Sequence, residues 1–447
     1  GVAIDNGLER IQGRLSATHR ALEDKLRLTL NVTGSHVEND YLPYEIGGGF
    51  EGGVFQNVAV FDPTHPVIDP ATGTFYETGP PFSTRNPVGL ASQIADFGNT
   101  TRVLGNAMAE LDLVPGLTAS VNVGVDRSDG LRQIYWPKAS PVGASFNGRA
   151  LLSNLDNSSV TFQSYLTLQR QVGENHNLDI VGGYEFNEYR SSDSRAEGRD
   201  FLSDAFGYNN LAAANVIIKP TSGWGQNRLI SFFGRANYGY KDRYFVTGVL
   251  RRDGSSKFGS GHKWALFPAL SASWHISQEG FMQTPPLGLS DLRLRLGWGL
   301  NGNQDGIPAY SSLALFSPGT RYPFGDDPAT GITGDRNPNP DLRWEETEQV
   351  NVAVDFGFKE NRISGSLEYY VKNTSDLLLD VPVPQPALVG TRIENIGRVR
   401  NRGIEAALDA VAISRPGLTW RAGLIFAANR NTVVDLGPTS FISTSLA

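Results

Sequence analysis

The stretch Leu117-Thr118-Ala119-Ser120-Val121-Asn122-Val123-Gly124-Val125-Asp126 decides how the rest of the chain is read. Its odd positions, Leu117, Ala119, Val121, Val123 and Val125, are apolar, while Thr118, Ser120, Asn122, Gly124 and Asp126 between them are polar or small. Successive side chains of a strand point to opposite faces. A period of two therefore describes a strand with one face in an apolar medium and the other in water. The pattern extends both ways along the chain. Leu26, Leu28, Leu30 and Val32 alternate with Lys25, Arg27, Thr29 and Asn31, and Phe162, Leu166 and Leu168 with Thr161, Gln163, Thr167 and Gln169. Further on, Leu292, Leu294, Leu296, Trp298 and Leu300 face away from Arg293, Arg295, Gly297, Gly299 and Asn301; Val350, Val352 and Val354 oppose Asn351 and Asp355; Leu418, Trp420 and Leu424 oppose Thr419, Arg421 and Gly423.

Such runs predict about fourteen strands, many of roughly ten to fourteen residues, against ~5–6 in ordinary globular proteins. A strand of that length crosses a tilted bilayer. The connections alternate in length. Tight turns are predicted at Ala21-Leu22-Glu23, Pro115-Gly116, Gly173-Glu174-Asn175, Lys241-Asp242, Glu360-Asn361 and Pro416-Gly417, and long polar loops at about 38–101, 130–159, 191–227, 302–343 and 376–399. Short turns on one rim and long loops on the other match an outer-membrane β-barrel, with the long loops extracellular. Tyr238, Tyr240, Tyr244 and Phe245 cluster at one tight turn, and Trp264, Trp274, Trp298, Tyr369 and Trp420 lie on apolar faces, as interfacial girdles require.

Composition narrows the classes. The 447 residues include 50 Gly, 25 Pro, 2 Met and no Cys, with 39 Lys+Arg against 46 Asp+Glu. Without cysteine there is no disulfide framework, thiolate metal site or cysteine nucleophile. A net charge of −7 and no concentrated basic segment argue against nucleic acid. No run approaches the ~18 apolar residues of a transmembrane helix. A propeller would show a repeat of roughly 40–50 residues, which is not visible. The start at Gly1-Val2-Ala3 and the end at Ser445-Leu446-Ala447 both read as cut.

Several motifs in order resemble the barrel of SusC/RagA-type TonB-linked outer-membrane transporters over about residues 86–428. They are Asn86-Pro87-Val88; Arg252-Asp253-Gly254-Ser255-Ser256-Lys257-Phe258-Gly259 with Lys263-Trp264-Ala265-Leu266-Phe267-Pro268; Leu294-Arg295-Leu296-Gly297-Trp298-Gly299 with Asn301-Gly302-Asn303-Gln304; Asn339-Pro340-Asp341-Leu342-Arg343-Trp344-Glu345; and Tyr369-Tyr370 with Asn373-Thr374-Ser375-Asp376, Asn395-Ile396-Gly397 and Asn401-Arg402-Gly403-Ile404-Glu405. The resemblance implies a barrel of twenty-two strands, preceded by a plug domain and a TonB-contacting segment that this chain lacks. On that reading residues 1–447 are one partial barrel, since an open sheet edge in lipid is not viable. The implied partners are a SusD-like surface lipoprotein, the TonB-ExbB-ExbD complex acting through the missing N-terminal part, outer-membrane lipid and an oligomeric nutrient substrate.

No bond chemistry is read from the sequence: no catalytic residue, no cofactor site and no metal site. Asn301-Gly302-Asn303-Gln304-Asp305-Gly306 imitates an EF-hand loop, but Ser312 stands where its bidentate Glu belongs, so a strand-exit turn is the better reading. Asp326-Asp327 and Glu345-Glu346 read as solvated pairs, His65 and His275 as structural, and Gly254-Ser255-Ser256-Lys257 lacks the spacing of a phosphate loop. The lumen-facing Lys25, Arg27, Arg293, Arg295 and Arg421 are expected to pair with acids across the polar interior. Substrate contacts are expected from loop aromatics, namely Tyr135, Trp136, Trp224 and Tyr322, by stacking on a sugar or peptide. Neutral loop amides and the acids Asp326 and Asp327 favour a neutral glycan, with peptide as the alternative. A passive porin or structural barrel, and a secreted β-rich carbohydrate-active enzyme, are the competing readings.

Overall fold

The computed structural model describes residues 4–43, 53–78, 84–282, 288–325 and 327–437. Fourteen strands form one antiparallel sheet: β1 (Gly7–Ala21), β2 (Leu26–Asp40), β3 (Ala95–Val114), β4 (Leu117–Trp136), β5 (Arg149–Val172), β6 (His176–Phe201), β7 (Ala214–Tyr240), β8 (Tyr244–Ser255), β9 (Trp264–His275), β10 (Leu289–Asn303), β13 (Glu345–Phe358), β14 (Ile363–Ser375), β17 (Arg398–Arg415) and β18 (Leu418–Asp435). Neighbours in the sheet follow chain order throughout, as in an up-and-down meander. Two hairpins stand outside it: β11 (Leu315–Phe324) with β12 (Asp327–Arg336), and β15 (Leu378–Pro382) with β16 (Thr391–Asn395). Among the described residues three short α-helices sit in connections: α1 (Val54–Val60), α2 (Pro87–Gln93) and α3 (Pro141–Ala144).

Register carries the alternation across the sheet. Leu294, Leu296 and Trp298 of β10 face Trp274, Ala272 and Leu270 of β9 on one side and Val354, Val352 and Val350 of β13 on the other. Those valines continue to Leu367, Tyr369 and Val371 of β14, and Leu367 and Tyr369 to Ala406 and Ile404 of β17. The result is a continuous apolar belt whose large side chains stay uncovered: Leu296 is 46% exposed, Leu367 52% and Leu424 67%. Soluble proteins bury such a surface; here it is the face that meets lipid. On β9 the belt runs from Trp264 to Trp274. Ten steps of ~3.3 Å at a tilt of ~40° span about 25 Å along the membrane normal, the height of a barrel's apolar band.

At the short-turn rim, Leu22, Glu23 and Asp24, then Lys241 and Asp242, then Lys359, Glu360 and Asn361 hold left-handed backbone, as do Gly116, Gly173 and Gly417. These are the predicted tight turns. The connection 276–288 between β9 and β10 is longer than the others on this rim.

The long-loop rim corrects the sequence reading. Segments 130–159 and 191–227 are mostly strand, because β4 runs to Trp136, β5 starts at Arg149, β6 runs to Phe201 and β7 starts at Ala214. Above the membrane both faces are wet, so alternation fades while the backbone ladder continues, and polarity mimics a loop. Segment 38–101 shortens to 41–94 for the same reason, and 302–343 and 376–399 each hold one of the small hairpins.

Candidate functional site

Polar-face side chains bind one another from strand to strand across the sheet. Asn106 Nδ2 donates to Asn122 Oδ1, Asn122 Nδ2 to Gln163 Oε1 at 3.0 Å, and Gln163 Nε2 to Glu185 Oε2 at 3.0 Å. Arg251 extends the ladder over β7: its Nη2 donates to Ser231 Oγ at 2.7 Å and Glu185 Oε1 at 3.3 Å, while Nε donates to Asp253 Oδ1 at 2.8 Å. Elsewhere on this face Arg295 forks onto Asp355 at 2.8 and 2.9 Å, and Arg27 meets Glu110 at 2.6 Å. Arg27 and Arg295 thus pair with acids as expected. Lys25 lies in the β1–β2 turn, and Arg293 Nε is buried without a hydrogen-bond partner.

Removing the guanidinium of Arg251 leaves Asp253, 11% exposed, without this cation, and Glu185, 16% exposed, with only the amides of Gln163 and Asn187. Because Arg251 itself is a third exposed, Arg251→Met is expected to cost about 2–3 kcal/mol, below the ~3–5 kcal/mol of a fully buried pair. Chemical unfolding of the refolded protein in detergent measures this; an unchanged midpoint would remove the ladder as a structural element.

At the long-loop rim the polar face closes over. Glu197, 6% exposed, accepts from Arg149 at 2.8 and 3.0 Å, Arg199 Nε at 2.7 Å and Arg195 at 3.3 Å. The Arg149 guanidinium lies 4.5 Å above the Trp136 ring. Trp136 also packs with Leu90, Ile94, Val142 and Leu151, so α2 and α3 are seated there. Asn86 caps α2, its side chain accepting from Val88 N and Gly89 N, which gives the Asn86-Pro87-Val88 motif a structural task.

The motifs near the other end of the sheet converge on one packed cluster of Phe258, Phe267, Ile307, Leu342 and Trp344. Trp344 Nε1 donates to Lys263 O at 3.0 Å, and Gly259 N to Leu342 O at 3.1 Å. Asn339 Nδ2 donates to Ile393 O at 2.7 Å; Asn395 Nδ2 donates to Arg343 O at 2.8 Å and Asp376 O at 3.0 Å, and Arg343 forks onto Asp376. These residues clamp the β15–β16 hairpin to the rim. Lys257, 8% exposed, donates to Gln304 O at 3.2 Å, and burial holds its pKa below that of a free lysine. It serves this docking, not a phosphate. Asn303 Oδ1 accepts from Asp305 N at 2.9 Å, a local turn at the exit of β10. Glu345, expected to be solvated, instead receives Asn303 Nδ2 at 3.0 Å and Leu378 N at 3.3 Å.

Tyr135, Trp136 and Trp224 are not brought together. Tyr135 and Trp136 are 6% and 4% exposed and lie within β4, not in a loop. The Tyr135 hydroxyl donates to Asp204 at 2.7 Å and its ring meets Phe201 edge-on at 5.7 Å. Trp224 is 63% exposed, but it is a strand residue of β7 and has the parity of Phe232, on the face of the apolar belt. Tyr322 lies on β11 opposite Ala329; its side chain, Asp326 and the side chain of Asp327 lie outside the described residues. Sequence reasoning missed the ladder and the arginines around Glu197. Period-two parity already placed Gln163 inward, but partners 66 residues apart, such as Glu185 and Arg251, leave no local spacing to find.

Residues 21–442 match the family model described as TonB dependent receptor-like, beta-barrel. TonB-dependent receptor P26 of Formosa agariphila is 30% identical over 453 residues, covering 99% of this chain and 44% of that protein. TonB-dependent receptor SusC of Bacteroides thetaiotaomicron is 28% identical over 470 residues, with 98% and 44% covered. Among solved structures, the RagAB peptide transporter superposes with a TM-score of 0.82 at 25% identity, over 96% of this chain and 47% of that one. The chain thus spans less than half the length of each of these three proteins. A lipid-facing apolar belt, a hydrogen-bonded polar face and a match over nearly its whole length place this chain in the TonB-dependent receptor β-barrel family, as a β-barrel protein of the outer membrane.

Proposed function

We propose that the protein of which this chain forms the barrel wall imports a nutrient oligomer across the outer membrane, driven through TonB, with a SusD-like lipoprotein at the extracellular rim. The long-loop rim takes the extracellular side on this reading. The observation that carries it is the likeness to SusC and RagAB over nearly the whole chain. The ladder from Asn106 to Asp253 supports it, since a hydrogen-bonding wall suits a wet passage rather than a packed core.

A neutral glycan remains the favoured substrate. Tyr135 and Trp136 are packed into the rim and do not offer stacking faces to it. Peptide is the second reading, favoured by the likeness to the RagAB peptide transporter. Uptake of labelled neutral glycans and labelled peptides by cells with and without the gene, each with and without a proton-motive-force uncoupler, tests both levels. Gene-dependent, uncoupler-sensitive uptake of one class is expected. Uptake that survives the uncoupler identifies a passive porin and overturns the proposal; strict dependence for peptides alone overturns the glycan preference.

A further inference from the structure

Across β6–β9 the apolar face ends in an aromatic row and then in arginines. The rings of Tyr184 and Phe232 lie 5.4 Å apart, and Phe232 stacks on Trp264 at 6.2 Å. On this face the register pair Phe186 and Ile230 is the last apolar pair before the charged residues; two positions on stands the pair Glu188 and Arg228, and then Arg190. All share one face by parity. Glu188 accepts from Arg228 Nε and Arg190 Nη2, both at 2.6 Å, while each arginine side chain stays 53% exposed. Arg252, in register with Phe232, carries its guanidinium 5.1 Å from the centre of the Trp264 ring. The patch therefore holds three guanidiniums and one carboxylate. At the same level of this face β4 and β5 carry one arginine, Arg127, with two acids, Asp129 and Asp156, so the positive excess is local.

We propose that Arg190, Arg228 and Arg252 bind the phosphate headgroup of an outer-leaflet glycolipid. Position gives the first reason: Arg228 lies two residues, about 7 Å along the strand, beyond the last apolar pair, which is the headgroup level. Chemistry gives the second. Glu188 occupies part of each of two guanidinium forks and fixes them in place, leaving outward N–H groups that match phosphate oxygens. Arg252 has the posture of a side chain whose stem crosses apolar surface and whose charge rises over an interfacial Trp. From the preceding section this takes only the orientation of the barrel, not transport.

The test uses the full-length receptor in mild detergent, stripped of lipid and followed by Trp fluorescence and native mass spectrometry. The probes are bisphosphorylated lipid A, dephosphorylated lipid A and inorganic phosphate. Phosphorylated lipid A is expected to bind about tenfold more tightly than the dephosphorylated form, and the difference should vanish in the R190Q/R228Q double variant and shrink in R252Q. R127Q, on the acidic flank, should keep it. Heat-modifiable mobility confirms that each variant is folded. Equal binding of the two lipid A forms, or an unchanged preference in the folded double variant, overturns the proposal; displacement by inorganic phosphate at the same concentration as lipid A would show a free-phosphate site and overturn the lipid assignment.

Discussion

Leu296→Arg is expected to cost the barrel about 2–4 kcal/mol and to block its assembly, whereas a small residue at Gly297, the next position, should be tolerated. Leu296 sits in mid-belt between Ala272 and Val352, and nearly half of it is left exposed on the apolar face. A guanidinium there meets hydrocarbon. Gly297 faces the other way, and a Cβ added to it would meet the terminal oxygen of Asn351, the far end of a side chain that can turn aside. Gly297→Ala should therefore change the local hydrogen bonding of the polar face and leave folding intact. Heat-modifiable mobility of protein refolded into detergent or bilayers reads both. Equal tolerance of Leu296→Arg and Gly297→Ala would mean that the apolar face does not meet lipid.

Gly259→Ala is expected to have an effect of similar size, about 2–4 kcal/mol, for a different reason. A Cβ at Gly259 would overlap the carbonyl oxygen of Pro340, a backbone atom, so the rim segments 256–263 and 337–344 must part. Parting breaks the Gly259 N to Leu342 O and Trp344 to Lys263 O hydrogen bonds and opens the cluster around Phe258 and Leu342, now 1% and 0% exposed. Gly261, two residues away, has open space where its Cβ would go, so Gly261→Ala is the matched control. Hydrogen exchange across both segments, with the unfolding midpoint, is the measurement. Identical protection in the two variants would show that these segments do not dock.

What the sequence showed and what it hid follow from the same physics. Within the membrane one face meets lipid and the other water, so Leu117 to Asp126 or Leu292 to Asn301 announce strand, face and register together. Above the membrane that asymmetry ends. The outer parts of β4 to β7, with Ser128, Asn157, Ser191 and Asp193, are polar on both faces and read as loops, although cross-strand pairing continues there, with one register shift between β6 and β7. Aromatic residues in those stretches then looked free to stack on a substrate. Tyr135 and Trp136 instead fill the packing of the rim, because strands this long need side chains and helices laid against them. Motifs such as Asn339-Pro340-Asp341-Leu342-Arg343-Trp344 marked the family but not their task, since their partners, Ile393, Asn395 and Asp376, lie in other connections.

The assignment of faces is tested most directly along β10. These 447 residues contain no cysteine, so single cysteines from Leu292 to Asn301 can carry spin labels without background from this chain. In reconstituted bilayers the ratio of oxygen to water-soluble nickel accessibility is expected to alternate with a period of two. It should be high at Leu292, Leu294, Leu296, Trp298 and Leu300, and low at Arg293, Arg295, Gly297, Gly299 and Asn301. A ratio that is uniform along the strand, or that repeats every three to four residues, would contradict a strand with lipid on one side and a wet interior on the other.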